Sequence, residues 1–570
     1  MADVLPSSLS KVDPADAWKP WRPSSAIPWD QKWVAHLYRR AAFGPSTADT
    51  TRALADGFPK TLDRLLNGEP DATALLEVMT DTGRYFSSPA QIRVWWLSAM
   101  LESGHPLREK LTLFWHNHFA TSYAKVSSTP LMFEQNLLLR KHALGKFRPF
   151  LLDMSKDAAM LVWLDSNRNT RRAPNENFAR EVMELFSLGV GNYTEKDIQE
   201  AARAFTGWHV DTVQNCDDQV FSFKPDEHDD GPKTVFGKTG IWGGEDIVRF
   251  CCDRPSTARF LVGKLYAYLV SETPPPKGLL TPLEERFRGS DYNISDLVKG
   301  MLGSALFFSH HAYRKRVKWP VEYVLGAVRA VVPDRVPLAD LADPLAKMGQ
   351  VLFAPPNVKG WRTGTDWLNS ATLLARNNFA ETVSSGTWAR TSARIVARGP
   401  VPPPPVVAVE EPLAGSAETP QQQAAVAAVG GAAVAYAPVR EMVADDGTRT
   451  VVPVIEVVPA GPGGLAPQGA GGTSKPKDTP GAPPPPPDAK FDTVEMLFNP
   501  KPKTVAALIK RMGEVLYGEE IPAAARAKTE KFLLDGKKTF SEKDLDNPAF
   551  RQKVRETLHA LMCLPEYQLC

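Results

Sequence analysis

Apolar positions recur at helical spacing along most of the chain. In Trp33–Gly44, Trp33, Leu37 and Ala41 fall on one stripe, and Gly44 supplies a stop. A helix opening at Pro106 places Leu107, Leu111 and Phe114 on one face. The stretch from Thr194 to Phe205 begins with Thr194 and Asp197 at capping-box spacing and buries Ile198, Ala201, Ala202 and Phe205. Pro174 and Asn175 mark another helix start, with Gly189 as its stop and Phe178, Val182, Leu185 and Phe186 as its apolar face. Val505, Leu508, Ile509 and Met512 continue the helical period near the C-terminus. Alternating patterns are few, and residues 221–225 and 233–240 predict short strands or loops. The expected fold class is mainly α: a multi-helix globular body with a few short strands.

The pattern breaks between about 396 and 488, where Pro, Gly and Ala dominate. Such a segment cannot bury enough apolar surface to offset its ordering entropy, so a long disordered insertion is expected there. Within it, Asp446-Gly447 between β-rich runs is compatible with a small hairpin, and Pro453 pushes its second strand to an edge. The resulting division is an extended arm over 1–30, anchored by Trp18, Trp21 and Trp29; a helical body over 31–395; the linker over 396–488; and a helical segment over 489–570 that docks on the body.

Composition narrows the class without naming a function. A chain of 570 residues needs no disulfide staples, and its five cysteines include no C-x-x-C pair. The adjacent Cys251 and Cys252 read as helix residues. A net charge of +2 carries no nucleic-acid signature. No basic-then-apolar leader and no apolar run of membrane-spanning length occur, so the expected location is cytoplasmic, with export beside a signal-bearing partner left open.

Four polar motifs carry candidate chemistry. His116-Asn117-His118 supplies two imidazoles for a metal. On a helix, residues i and i+2 lie about 200° apart, so joint ligation requires the helix to end near Trp115. The alternative is a core-lining His118 with His116 hydrogen-bonded at a helix end. In the second motif, Glu176, Arg180 and Glu184 stand at i, i+4 and i+8 beside Glu181. Such a ladder is either a solvated ion-pair face or a cleft in which Glu181 or Glu184 acts as base or ligand, with Arg180 beside them. The third, His228-Asp229, lies in a polar loop suited to binding or to local turn chemistry. Taken together, His116, His118, Glu181 and His228 form a candidate set for zinc, manganese or iron. The fourth runs from Pro355 to Trp361, where Asn357 and Trp361, followed by Trp367, offer either a stacking platform for substrate or a buried loop. Gly237-Lys238-Thr239 ends like a phosphate-binding loop, but Pro232 occupies a required glycine position, and that reading is rejected. No G-x-S-x-G or H-E-x-x-H occurs.

Several of these stretches together resemble the bacterial domain of unknown function 1800 family. They are residues 36–44, 110–122, 174–208, 228–240, 317–330, 349–361 and 564–569. The resemblance covers about 31–395 and 489–570 and skips the Pro-rich insertion. It implies a mainly helical protein of unestablished activity. It also implies a sulfatase-like protein, encoded nearby, as a candidate partner. Two readings of function stand at this point: a metal-assisted enzyme using a His/Glu site, and a non-catalytic interaction or scaffold protein.

Overall fold

The computed structural model describes residues 5–69, 86–212, 219–331, 338–386, 440–443, 449–452, 493–537 and 539–570. The chain is mainly helical, with short two-stranded antiparallel sheets. Residues 1–393 and 488–570 make one compact unit, and 394–487 make a second. The expectation of a disordered insertion falls almost entirely outside the described residues. Within the second unit, β5 (Arg440–Val443) pairs antiparallel with β6 (Arg449–Val452).

The first unit is built around one hydrophobic cluster in which Trp95, Trp96 and Trp115 have no exposure. The N-terminal arm is pinned by its tryptophans. Trp18 Nε1 donates to Leu279 O at 2.6 Å, Trp29 Nε1 donates to Ala53 O at 2.9 Å, and Trp21 stacks on Phe308 with centroids 3.9 Å apart. Helix α1 (Gln31–Ala41) starts at Asp30, whose carboxylate caps Trp33 N–H, and α2 (Thr47–Asp56) starts with a capping box between Ser46 and Asp49. Helix α3 (Pro106–His118) runs through the core with nearly every residue buried.

Helix α4 (Glu176–Glu181) is capped by Asn175 and continues, as a wider turn, into a π-helix over Val182–Leu188. π-helical turns are rare and recur at functional sites. The segment ends at Gly189, whose φ of 77° suits glycine and whose missing Cβ leaves room for the Phe260 ring. Helix α5 (Glu195–Ala204) carries the capping box at Thr194 and Asp197. The hairpin of β1 (Trp208–Thr212) and β2 (Gln219–Phe223) and the smaller one of β3 (Lys233–Val235) and β4 (Lys238–Gly240) follow it. Helix α6 (Pro255–Leu269) packs against the π-helix.

Helices α7 (Pro320–Val331), α8 (Ser370–Ser385), α9 (Val505–Tyr517) and α10 (Pro548–Met562) bring the C-terminal segment against the body. The final residues lie along 316–318: Lys318 N–H donates to Gln568 O and Cys570 N–H to Arg316 O, both at 2.9 Å. Among the described residues, no helix is long and apolar enough to cross a membrane.

Candidate functional site

Helix α3 does not stop at Trp115. Both histidines of His116-Asn117-His118 are helical, so their rings leave the axis in different directions, as the 3.6-residue period requires. His116 is buried against Trp96, Phe353 and Trp361, with ring centroids 5.2–5.6 Å away. Neither of its ring nitrogens has a hydrogen-bond partner, and the indole nitrogens of Trp96 and Trp361 are likewise unpaired. Burial pushes the His116 imidazole down to about 3, so it is neutral. Phe353 closes this cage with a left-handed φ of 62°, a strained conformation for an aromatic residue.

Asn117 points to the loop that carries Trp361. Its Oδ1 accepts from Trp361 N–H at 2.6 Å. The approach is so close that a Cβ at Gly360, where φ is 86°, would stand 2.2 Å from that same oxygen. Trp361 and Trp367 are buried packing residues, whereas Asn357 is exposed and turns its Oδ1 back to Lys359 N–H at 2.9 Å.

His118 faces the π-helix. Its Nε2–H donates to Phe186 O at 3.1 Å, which leaves Nδ1 to accept from the Lys264 ammonium at 2.9 Å. Those two contacts select the tautomer. Burial, then the Lys264 charge, pushes the imidazole well below its ordinary range. Lys264, on α6, is itself lowered to about 8 by burial. It forms no ion pair with any carboxylate among the described residues, and its ammonium lies 5.1 Å from the Phe260 ring that Gly189 accommodates. Gly189, Phe260, Lys264, His118 and Phe186 thus form a closed ring of contacts around the π-helix.

The carboxylates of the second motif divide. Arg180 is held bidentately by Glu195 at 2.7 and 3.0 Å and also by Glu176 at 3.0 Å, and Tyr193 donates its hydroxyl to Glu184. Glu181 is half-buried, and among the described residues no group donates a hydrogen bond to it. Burial and then Glu184 raise its carboxyl, while Arg180 and Lys359 oppose them. Glu181 is therefore the member of this stripe left free for chemistry.

The third motif builds a separate place. His228 Nδ1–H donates to Thr206 O at 2.8 Å. Asp229 accepts from Arg203 at 2.7 and 3.2 Å and from Gly231 N–H at 2.9 Å, and Arg203 holds its carboxyl low. Neither residue shares a hydrogen bond or ring contact with His116 or His118. Among the described residues, no group of three or more His, Cys, Asp or Glu side chains is placed to hold a metal ion.

Residues 36–569 match a family described as a protein of unknown function (DUF1800). The chain belongs to this family. The match extends the sequence resemblance across nearly the whole chain, and no curated protein and no solved structure matches it. Within this DUF1800 chain, the motif 110–122 meets 174–208 through His118 and Phe186, and meets 349–361 through His116, Asn117 and Trp361. Lys264 escaped the sequence reading because it stands alone on an otherwise apolar helix face, with no motif around it.

Proposed function

We propose that this DUF1800 chain is an enzyme whose reacting group is the Lys264 amine, positioned by His118 and acting on a carbonyl substrate. The observation that carries the reading is the 2.9 Å contact between Lys264 Nζ and His118 Nδ1 in the absence of a carboxylate counter-ion among the described residues. A lysine that served only solubility would sit in water, and one that served only packing would be paired. A desolvated lysine without a partner charge is the usual form of an amine nucleophile. With its amine lowered to about 8, roughly a tenth of Lys264 is unprotonated at pH 7. The free amine attacks the carbonyl carbon and forms a C–N bond. The carbonyl oxygen leaves as water, taking up two protons, and an imine remains. Both protons come from the amine nitrogen, and His118 Nδ1, 2.9 Å from it, is placed to relay them; half-buried Glu181 is the carboxylate candidate for the same role.

Incubation with propionaldehyde and cyanoborohydride at pH 7, followed by peptide mass analysis, tests this. Lys264 is expected to be alkylated faster than the exposed Lys196 and Lys347, with an apparent pKa near 8. Labelling of Lys264 no faster than these surface lysines would refute the proposal. The metal-assisted reading, with zinc, manganese or iron on His116, His118 and His228, requires His118 to give up a present partner and the three rings to converge, which among the described residues they do not. Elemental analysis of the purified protein decides that reading, and pull-down of a sulfatase-like protein decides the scaffold reading.

A further inference from the structure

Three family stretches take no part in the site above: 36–44, 317–330 and 564–569. They converge on a second polar centre between α1, α7, α9 and the last residues. At its heart, Glu322 accepts from Arg316 through two nitrogens at 2.8 Å each, from Trp319 N–H at 2.7 Å, and from Lys110. Its oxygens are filled. Around it lies an excess of positive charge. Arg40 spends one nitrogen on Ala312 O and Cys570 O and leaves Nε and NH1 bare.

Three further donors line a narrow cleft of about 20 Å³ that opens to the surface. Lys318 is 5% exposed, yet its ammonium has no acceptor among the described residues. It rests 3.7 Å above the Tyr567 ring. Tyr567 is 2% exposed, and its hydroxyl is equally without a partner among those residues. Arg39 makes a single side-chain hydrogen bond, to Leu516 O at 3.1 Å, which leaves the rest of its guanidinium free. Burial, with Arg39, Arg314 and Arg376 nearby, drives the Lys318 ammonium well below its ordinary range, against an opposing pull from Cys570. Arg39 also borders an adjoining groove of about 140 Å³, together with Thr47, Thr50, Arg511 and Glu514.

Donors from three separated stretches line this cleft, and the carboxylate in its lining, Glu322, is already saturated. A buried cation whose contact is an aromatic ring rather than a counter-charge is costly, and a methionine at 318 would fill the same volume without that cost. We propose that the mouth of this cleft, where Arg39 joins it to the groove, binds a phosphate group, its oxygens taken by Arg39, Lys318 and the Tyr567 hydroxyl, with any organic substituent lying along the groove. An Arg fork, an ammonium and a hydroxyl together match a tetrahedral oxyanion better than a planar carboxylate.

Titration calorimetry on the full chain, with inorganic phosphate and with phenyl phosphate, tests the proposal. Saturable binding of phosphate is expected, with phenyl phosphate tighter if the adjoining groove is used and equal if phosphate alone is the ligand. Lys318→Met should weaken binding by about tenfold or more, ~1.4 kcal/mol. Tyr567→Phe, which removes one oxygen, should weaken it by a smaller factor. The phosphate-free Lys318→Met protein should melt at or above the wild-type temperature, which a purely structural lysine would not allow. Absence of binding by both probes, equal binding by chloride, wild-type affinity in Lys318→Met, or failure of that variant to fold would each overturn the proposal.

Discussion

Replacing Glu322 by Gln removes the acidic side chain that accepts hydrogen bonds from both Lys110 and Arg316. Burial alone would raise the Glu322 carboxyl, but Arg316 and Lys110 more than offset it and hold it at about 2 against an ordinary 4.5. That drop corresponds to roughly 3 kcal/mol of stability at neutral pH. The lysine side of the same pair points the other way. Burial lowers the Lys110 ammonium to about 8 even with Glu322 beside it. The two directions reconcile once the possible escapes are compared. In Glu322→Gln, Lys110 can shed its proton, whereas Arg316 cannot and remains a buried charge without a counter-charge. The expected loss is therefore about 3–5 kcal/mol, the cost of stranding one partner of a buried pair. It is read as a drop of several degrees in the thermal midpoint, followed by tryptophan fluorescence. Lys110→Met supplies the cycle: it should destabilise the wild type and be neutral or stabilising on the Glu322→Gln background. The sign of the pH effect is fixed by the depressed carboxyl. The contribution is fully present above 4.5 and is lost as pH falls through about 2, so wild type and variant should converge in acid. A loss below about 1 kcal/mol, or an equal cost of Lys110→Met in both backgrounds, would refute the reasoning.

The remaining predictions concern the first site. His116 has its folded-state pKa pushed to about 3 from an ordinary 6.5, so its share of stability is present above 6.5 and declines as pH falls toward 3. His116→Phe, which keeps a ring in the cage, should reduce the slope of denaturation free energy between pH 4 and 6 by about 1.4 kcal/mol per pH unit; an unchanged slope would count against a neutral buried His116. Gly360→Ala drives a Cβ into Asn117 at 2.2 Å on a backbone with φ of 86°, so it should cost about 2 kcal/mol or more and shift the fluorescence of Trp361; wild-type stability would mean that the loop is free to move. Gly189→Ala presses on Phe260 at 2.9 Å, and it should change the alkylation rate of Lys264 while leaving Lys196 unaffected. Equal rates at Lys264 in both proteins would break the proposed link between the π-helix and the amine.

Helical periodicity carried most of the fold. The stripe of Leu107, Leu111 and Phe114 did lead to a core-lining His118, and the caps at Asn175 and Thr194 stand where their side chains predicted. Spacing could not show where each polar side chain ends. The ladder kept its Glu176–Arg180 pair, but Arg180 is also held by Glu195 and Glu184 takes a hydrogen bond from Tyr193, residues from a neighbouring turn that no i, i+4 count includes. His228 and Asp229 closed on Thr206 and Arg203 for the same reason. Lys264 and Lys318 were invisible in another way. Lys264 is a single cation on an apolar helix face and Lys318 ends a basic run that includes Arg314, Lys315 and Arg316, and in sequence both read as surface residues. Their burial reverses that meaning. Folding asks of these positions only volume and apolar contact, which methionine supplies at lower cost. The Lys110–Arg316–Glu322 network shows that the fold can pair a buried lysine with a carboxylate. At Lys264 and Lys318 it does not, and at both the amine is left facing a neutral group, the His118 ring nitrogen in one case and the Tyr567 ring in the other. Where local choices run against stability, function is the usual compensation. The reaction is therefore to be sought at Lys264 and the ligand at Lys318.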